Sequence, residues 1–278
     1  MLFGYAIRAL TFIAVIPLGL ILFSVLKNGL GQINLSFFTE TEPNTYEAML
    51  AVRSGEVIPG GILNGIAGTL LITVLSMALA IPVGIATGIY LSASRKSYFA
   101  NIIRNITDIM MGVPSIVLGL LSYLWIVIHV TRGFSALAGS VALGIMMLPL
   151  IIRSTEESLK MLPSSLLEAG LSLGVPYYKI QFRILLPSAL SGILSGILLS
   201  VSRIMGETAP LLFTAMGSSA VNWDITRPIS AVPLQIYRFY HDPNMVDMVW
   251  SASLFLIVIV LLINIVAKRI SYKMSIKR

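Results

Sequence analysis

Residues 161–187 read MLPSSLLEAGLSLGVPYYKIQFRILLP, two helix-forming arms with a stop between them. Ser165 and Glu168 have the spacing of a capping box, in which a hydroxyl and a carboxylate three residues apart satisfy free N–H groups at a helix start. Gly174 suits the left-handed residue that closes a helix, and Pro176 suits the opening of the next one. The stretch is therefore expected to form an elbow of two short helices joined at Gly174. Such an elbow carries Leu166, Leu167, Leu171 and Leu173, which need either their own bundle or the groove of a partner to cover them. Local reasoning leaves these two readings even.

On both sides of the elbow the sequence turns hydrocarbon-like. Of 278 residues, 56% are hydrophobic and 11% charged, and the mean hydropathy is +0.91, a balance that suits a chain solvated mainly by lipid. Charge-poor runs fall at about 9–26, 62–91, 106–129, 134–152, 184–216 and 248–267. A bilayer core takes roughly 20 residues of helix, so these runs predict an all-α integral membrane protein of about six transmembrane helices. The second and fifth runs exceed one crossing. Each reads as a tilted helix or as a span joined to a short interfacial helix, with Pro59-Gly60-Gly61 as a break before the second. The first run is longer than a signal-peptide core, lacks a small-residue cleavage site, and is expected to be retained. The chain divides into residues 1–60, a first transmembrane helix and outer loop, and residues 61–278, a membrane core with the elbow segment at about 154–187.

Charge reports orientation. Arg8, then Arg95, Lys96 and Arg104, then Arg153, Lys160, Lys179 and Arg183, then Lys268, Arg269, Lys273, Lys277 and Arg278 fall on one side. An excess of Lys and Arg marks the cytoplasmic side, so both termini of this multi-pass chain are expected there. Glu40, Glu42, Glu47, Glu56, Asp224, Asp242 and Asp247 occupy the opposite loops. The net charge of +7 is spread over loops rather than gathered on one soluble face, which argues against a nucleic-acid partner. The basic tail beyond Lys268 anchors topology or meets anionic membrane lipid. Gly61/Gly65, Gly84/Gly88 and Gly192/Gly196 have the spacing that lets helices approach closely, and packing within the chain is the expected use.

The chemistry of an enzyme is missing. There is no cysteine, no phosphate-cradling G-x-x-x-x-G-K-[ST] loop, no H-E-x-x-H pair and no G-x-S-x-G elbow. His129 and His241 lie far apart at loop edges. No catalytic residue, metal site or cofactor is expected in this chain. The charged groups that stand out are Arg203 and Glu207, deep in the fifth apolar run, where each costs roughly 2.5–3.5 kcal/mol at a bilayer centre. Four residues apart on a helix they share a face and can pair. The functional alternative, which we favour, is that they line a translocation path or gate. Asp108 reads as a helix-capping or packing residue.

The elbow resembles the EAA loop of ABC importer permeases, through Glu168-Ala169, Gly174 after the usual interval, and Ile184, Leu186 and Pro187 beyond it. Gly170 stands where alanine is usual, a small-for-small departure that slightly weakens the helix. The run SRIMGETAPLLFTA at 202–215 resembles PstA-type phosphate permease subunits, as do Phe37-Phe38-Thr39-Glu40, Gly68-Thr-Leu-Leu71 and residues 80–86, AIPVGIA. The resemblance implies a MetI-like type I ABC importer permease fold over roughly 60–267. It further implies a heterodimer with a PstC-type permease, two copies of a PstB-type ATPase that carry ATP and Mg, and a PstS-type phosphate-binding protein outside the cell. Glu168, Ala169, Gly170, Gly174, Ile184, Leu186 and Pro187 would then shape the ATPase contact, in the plasma (inner) membrane of a prokaryote. Import of another oxyanion or small solute, and a phosphate-status signalling scaffold, stay open at this point.

Overall fold

Apolar backbone in lipid must satisfy its own N–H and C=O groups, and helices do so within each segment. A computed structural model describes the backbone of residues 2–94 and 96–276, and the side chains of 10–94, 96–266 and 268–269. Arg95, Lys277 and Arg278 lie outside the described residues, as do the side chains of Arg8 and Lys273. In chain order the helices are α1 (Leu2–Gly29), α2 (Leu35–Thr39), α3 (Thr45–Ser54), α4 (Leu63–Ala93) and α5 (Tyr98–Gly112). Then follow α6 (Ser115–Ser122), extended by a wide turn over Tyr123–Val127, α7 (Ala136–Lys160), α8 (Ser164–Ser172) and α9 (Tyr177–Ile180). A second wide turn, Gln181–Leu185, leads into α10 (Leu186–Ile204), α11 (Ala209–Thr214), α12 (Val232–Tyr240) and α13 (Val246–Ile276). Among the described residues, five helices are long and apolar enough to cross a membrane, or six if the bent pair α5–α6 counts as one span.

The centre is a parallel pair. Along α4 and α7, Ser76 Oγ donates to the Ser140 carbonyl at 3.0 Å, Gly84 meets Ile151, and Gly88 meets Thr155. A Cβ on Gly84 would lie 2.6 Å from Ile151 Cγ2 and one on Gly88 2.5 Å from Thr155 Cβ, so only glycine admits this approach. Helix α10 runs antiparallel along the other side of α7, with Gly192 on Ser158 and Gly196 on Ser154. The glycine pairs therefore serve packing within the chain, as expected. Helix α13 covers α10, and α1 lies on α13, where Ser251 Oγ donates to the Gly29 carbonyl at 2.7 Å. A smaller core of Phe37, Ile58, Ile62, Phe239 and Met248 fixes α2, α3 and α12 at the end that holds the acidic loops. The opposite, basic end holds the C-termini of α4 and α7, the start of α5 and the elbow.

Two of the apolar runs are broken, the third against expectation and the fifth in line with the reading of a span joined to a short helix. The third, read as 106–129, begins at Tyr98, and α5 meets α6 at 105°. Pro114 supplies the reason: it pushes Val113 to extended geometry (φ −70°, ψ 129°) and ends α5 there. The fifth, read as 184–216, stops at Ile204, turns through Met205 to Thr208, and restarts as α11 with Pro210 in its first turn. The short helices α6 and α11 cross at Gly119, where a Cβ would lie 2.6 Å from Pro210 Cα.

Candidate functional site

The elbow closes as a glycine-capped turn. Gly174 takes φ +72°, its N–H reaches the Leu171 carbonyl at 2.9 Å, and the Val175 N–H reaches the Gly170 carbonyl at 3.1 Å. These two crossed bonds are the Schellman pattern, which satisfies carbonyls that a helix end leaves open. The expected capping box does not form. Pro163 takes the N-cap position, so Ser165 already lies inside α8, and no side chain caps the helix. Gly170 is buried on Ile180, with its would-be Cβ 2.7 Å from Ile180 Cδ1, and this contact folds α8 onto α9. The glycine at a position where alanine was expected thus has a packing reason.

That fold leaves an apolar edge uncovered. Leu173 is 82% exposed, and Leu166, Leu171, Tyr178 and Phe182 are exposed too, while Leu167 is half-buried. Glu168 and Ala169 stand in the open beside them, as do Ile184 and Pro187, whereas Leu186 is half-buried against the core. The reading in which the leucines fold back on their own bundle does not describe this arrangement.

Arg203 and Glu207 lie where the fifth run breaks. Arg203 is in the last turn of α10, but Glu207 follows the helix end, so the two do not share a helical face. Arg203 Nε and Glu207 Oε1 are 3.9 Å apart, an ion-pair contact too long for a hydrogen bond, with the side chains 53% and 21% exposed. Arg203 faces a cavity of about 30 Å³ bounded by Met110 and Met111 at the end of α5, Val113 at its bend, and Met146 and Pro149 on α7. Met146 and Pro149 lie midway along α7, so Arg203 borders the bundle at mid-depth, beside methionine and other apolar side chains. A cation so placed, weakly paired and half open, is suited to meeting an anion or a partner surface rather than to bracing this chain.

The charged residues that brace it are others. Glu156, on the penultimate turn of α7, is 0% exposed. Its Oε1 accepts from Arg104 Nε at 2.7 Å and Lys160 Nζ at 2.6 Å, and Arg153 Nη1 stands 3.6 Å from Oε2. Arg104 also donates to the Leu91 carbonyl at 2.7 Å and to Asn101 Oδ1 at 2.7 Å, capping the C-terminus of α4. Arg153 bonds Asp108 on α5, which gives Asp108 its role as an ion-pair partner. One carboxylate thus gathers α4, α5 and α7. Sequence reading used Arg104, Arg153 and Lys160 for topology alone and passed over Glu156. The available signal was its i,i+4 spacing to Lys160 and i,i+3 to Arg153. At the other end, Glu42 binds Arg238 at 2.7 Å, while Gln235 donates to Asn64 Oδ1 at 2.7 Å, joining the first loop to α12 and α4.

Comparison with known proteins places this architecture. The family described as "Binding-protein-dependent transport system inner membrane component" matches residues 80–276. The chain is 40% identical over 256 residues to the "Phosphate transport system permease protein PstA" of Yersinia pestis, covering 91% of this chain and 83% of that one. It is 36% identical over 266 residues to "Phosphate transport system permease protein PstA 1" of Mycobacterium tuberculosis, covering 94% and 84%. Among solved structures, an inward-facing form of the MetNI methionine ABC transporter superposes with a TM-score of 0.62 at 23% identity, over 76% of this chain and 94% of that one. The likeness to that structure establishes the MetI-like helical fold. By the family match and by its long apolar helices, the chain belongs to the binding-protein-dependent transport system inner membrane components, as a multi-pass permease subunit of an ABC importer.

Proposed function

We propose that this chain is the PstA-type half of a phosphate importer in the inner membrane of a prokaryote. The observation that carries the substrate is the similarity to phosphate permeases along nine-tenths of the chain. The loosely paired Arg203 at mid-depth supports it, because a divalent or monovalent oxyanion crossing the bundle needs a cation that is not already neutralised. A PstC-type permease supplies the other half of the path and covers the open face around Arg203. Glu207 at the break between α10 and α11 positions or releases the anion. The uncovered edge of the elbow, from Glu168 and Ala169 through Gly174 to Ile184, Leu186 and Pro187, fits the groove of a PstB-type ATPase, one of two copies that bind ATP and Mg. A PstS-type phosphate-binding protein docks at the acidic end, which faces outward, and both termini lie in the cytoplasm by the positive-inside rule.

Alternating access follows from this placement. Closure of the ATPase pair draws in α8 and α9, the motion enters α7 and α10 directly, and the break regions around Val113 and Gly206 change which side reaches Arg203. The test is uptake of labelled phosphate by the complete complex in cells lacking their own system, with wild type, Arg203→Gln and Glu168→Lys at equal levels. Loss in both variants, with Glu168→Lys also failing to retain the ATPase, is expected. Full uptake in both overturns the residue roles, and no uptake by wild type overturns phosphate as substrate.

A further inference from the structure

The elbow and the Arg203 cavity are separate features, yet one buried group connects the elements that carry them. Only three residues, Met161 to Pro163, separate the end of α7 at Lys160 from the start of α8, so the elbow is a direct extension of α7. The cavity wall is shared: Met146, Pro149 and Leu150 come from α7 itself, while Met110 and Met111 end α5 and Val113 follows at its bend. At their basic end α5 and α7 share a small apolar cluster, Ala100 and Ile103 against Leu148 and Ile152, and a pair of charged links adds register to it. Arg104 and Asp108, one turn apart on α5, reach Glu156 and Arg153, three residues apart on α7. Glu156 stands at the centre, fully buried, with Arg104 only 14% exposed. Removing one member of such a buried cluster strands the others, so the contact is strong against sliding and specific in register. Arg104 extends the same tie to the Leu91 carbonyl and hence to α4.

We infer that Glu156 is a positioning residue for transport, locking α5 to α7 so that displacement of the elbow carries the α5 side of the Arg203 cavity along with the α7 side. Glu156 touches no substrate in this scheme; it makes α4, α5 and the end of α7 one rigid body. The inference rests on the importer reading above.

The chain has no cysteine, so paired spin labels can be placed without background. Labels at Ile106 on α5 and Met161 after α7, both exposed, report the separation of the two helices in the assembled complex. In the otherwise wild-type chain this separation is expected to be the same with and without trapped nucleotide. In Glu156→Gln it is expected to broaden or shift on trapping, while ATPase retention and basal ATP hydrolysis stay near wild type and phosphate moved per ATP falls about tenfold. Arg104→Gln, a milder change that leaves Glu156 with Lys160 and Arg153, is expected to give the same uncoupling. The double variant is expected to be no worse than either single one, as for residues acting through one contact. A wild-type separation that changes on nucleotide trapping overturns the inference without any variant, as do variants with unchanged separation and unchanged phosphate per ATP. If wild type moves no phosphate but the labels behave as expected, the substrate assignment falls and the rigid link stands.

Discussion

Two ionic groupings in this molecule differ in ways that a count of charges would not reveal. Arg203 and Glu207 sit inside a long apolar run and meet at 3.9 Å across a helix end, with the arginine half open. Glu156 sits near a helix terminus, in a stretch that already reads as polar, and is sealed among Arg104, Arg153 and Lys160. A charge that is conspicuous along the chain is thus loosely held in space, and an inconspicuous one is the most tightly held. The lesson is physical. A charge in an apolar run signals a cost that some partner or wet path must meet, whereas a structural ion cluster is assembled from ordinary helix-end residues that converge only on folding.

The comparison can be broken by stability measurements on purified protein in detergent. The largest loss is expected from Glu156→Ala, which strands two close cations and should cost about 3–5 kcal/mol. Gly88→Val comes next: its added carbons meet Thr155 across the α4–α7 contact, and overpacking of this kind costs about 1–3 kcal/mol. Arg203→Ala is expected to cost less than about 1 kcal/mol, because a half-exposed pair at the contact limit contributes little, while uptake falls sharply. Equal destabilisation by Glu156→Ala and Arg203→Ala would erase the distinction between brace and path. Gly170→Ala is expected to change stability by less than about 1 kcal/mol, since a helix-propensity gain of about that size offsets the shift forced on Ile180 Cδ1 and Cγ1. A loss well above that would mean that Ile180 cannot move. Leu173→Glu, at an 82% exposed position, sharpens the other side: no change in unfolding, but loss of the retained ATPase in pull-down.

Much of the architecture was legible before folding. Spans could be placed because lipid forces helices of fixed length, and Gly174 because a left-handed terminator favours glycine. Gly84, Gly88, Gly192 and Gly196 were legible as close-approach points. The break at Val113 was missed although Pro114 marks it, because the apolar run continued on both sides and hydropathy does not register direction. The capping box was misplaced for a related reason: Ser165 and Glu168 have the spacing, but Pro163 takes the N-cap position two residues earlier. The break after Ile204 has a weaker signal, Gly206 and Pro210, and it separated Arg203 from Glu207 by more than their spacing implied.

The sequence by itself determined that this chain is a helical membrane protein, where its apolar helices run, and that an elbow follows the fourth of them. Those are consequences of local backbone chemistry and of a solvent that admits no unpaired amide. Only the tertiary structure decided which helices lie parallel at glycine contact, that α6 and α11 cross as half-length elements, and that Glu156 rather than Glu207 anchors the charged residues. These depend on approach between segments distant in sequence, where a few tenths of an ångström at Gly88 or Gly119, or the meeting of Arg104 with Glu156 across 52 residues, selects one arrangement among many that the same pattern allows.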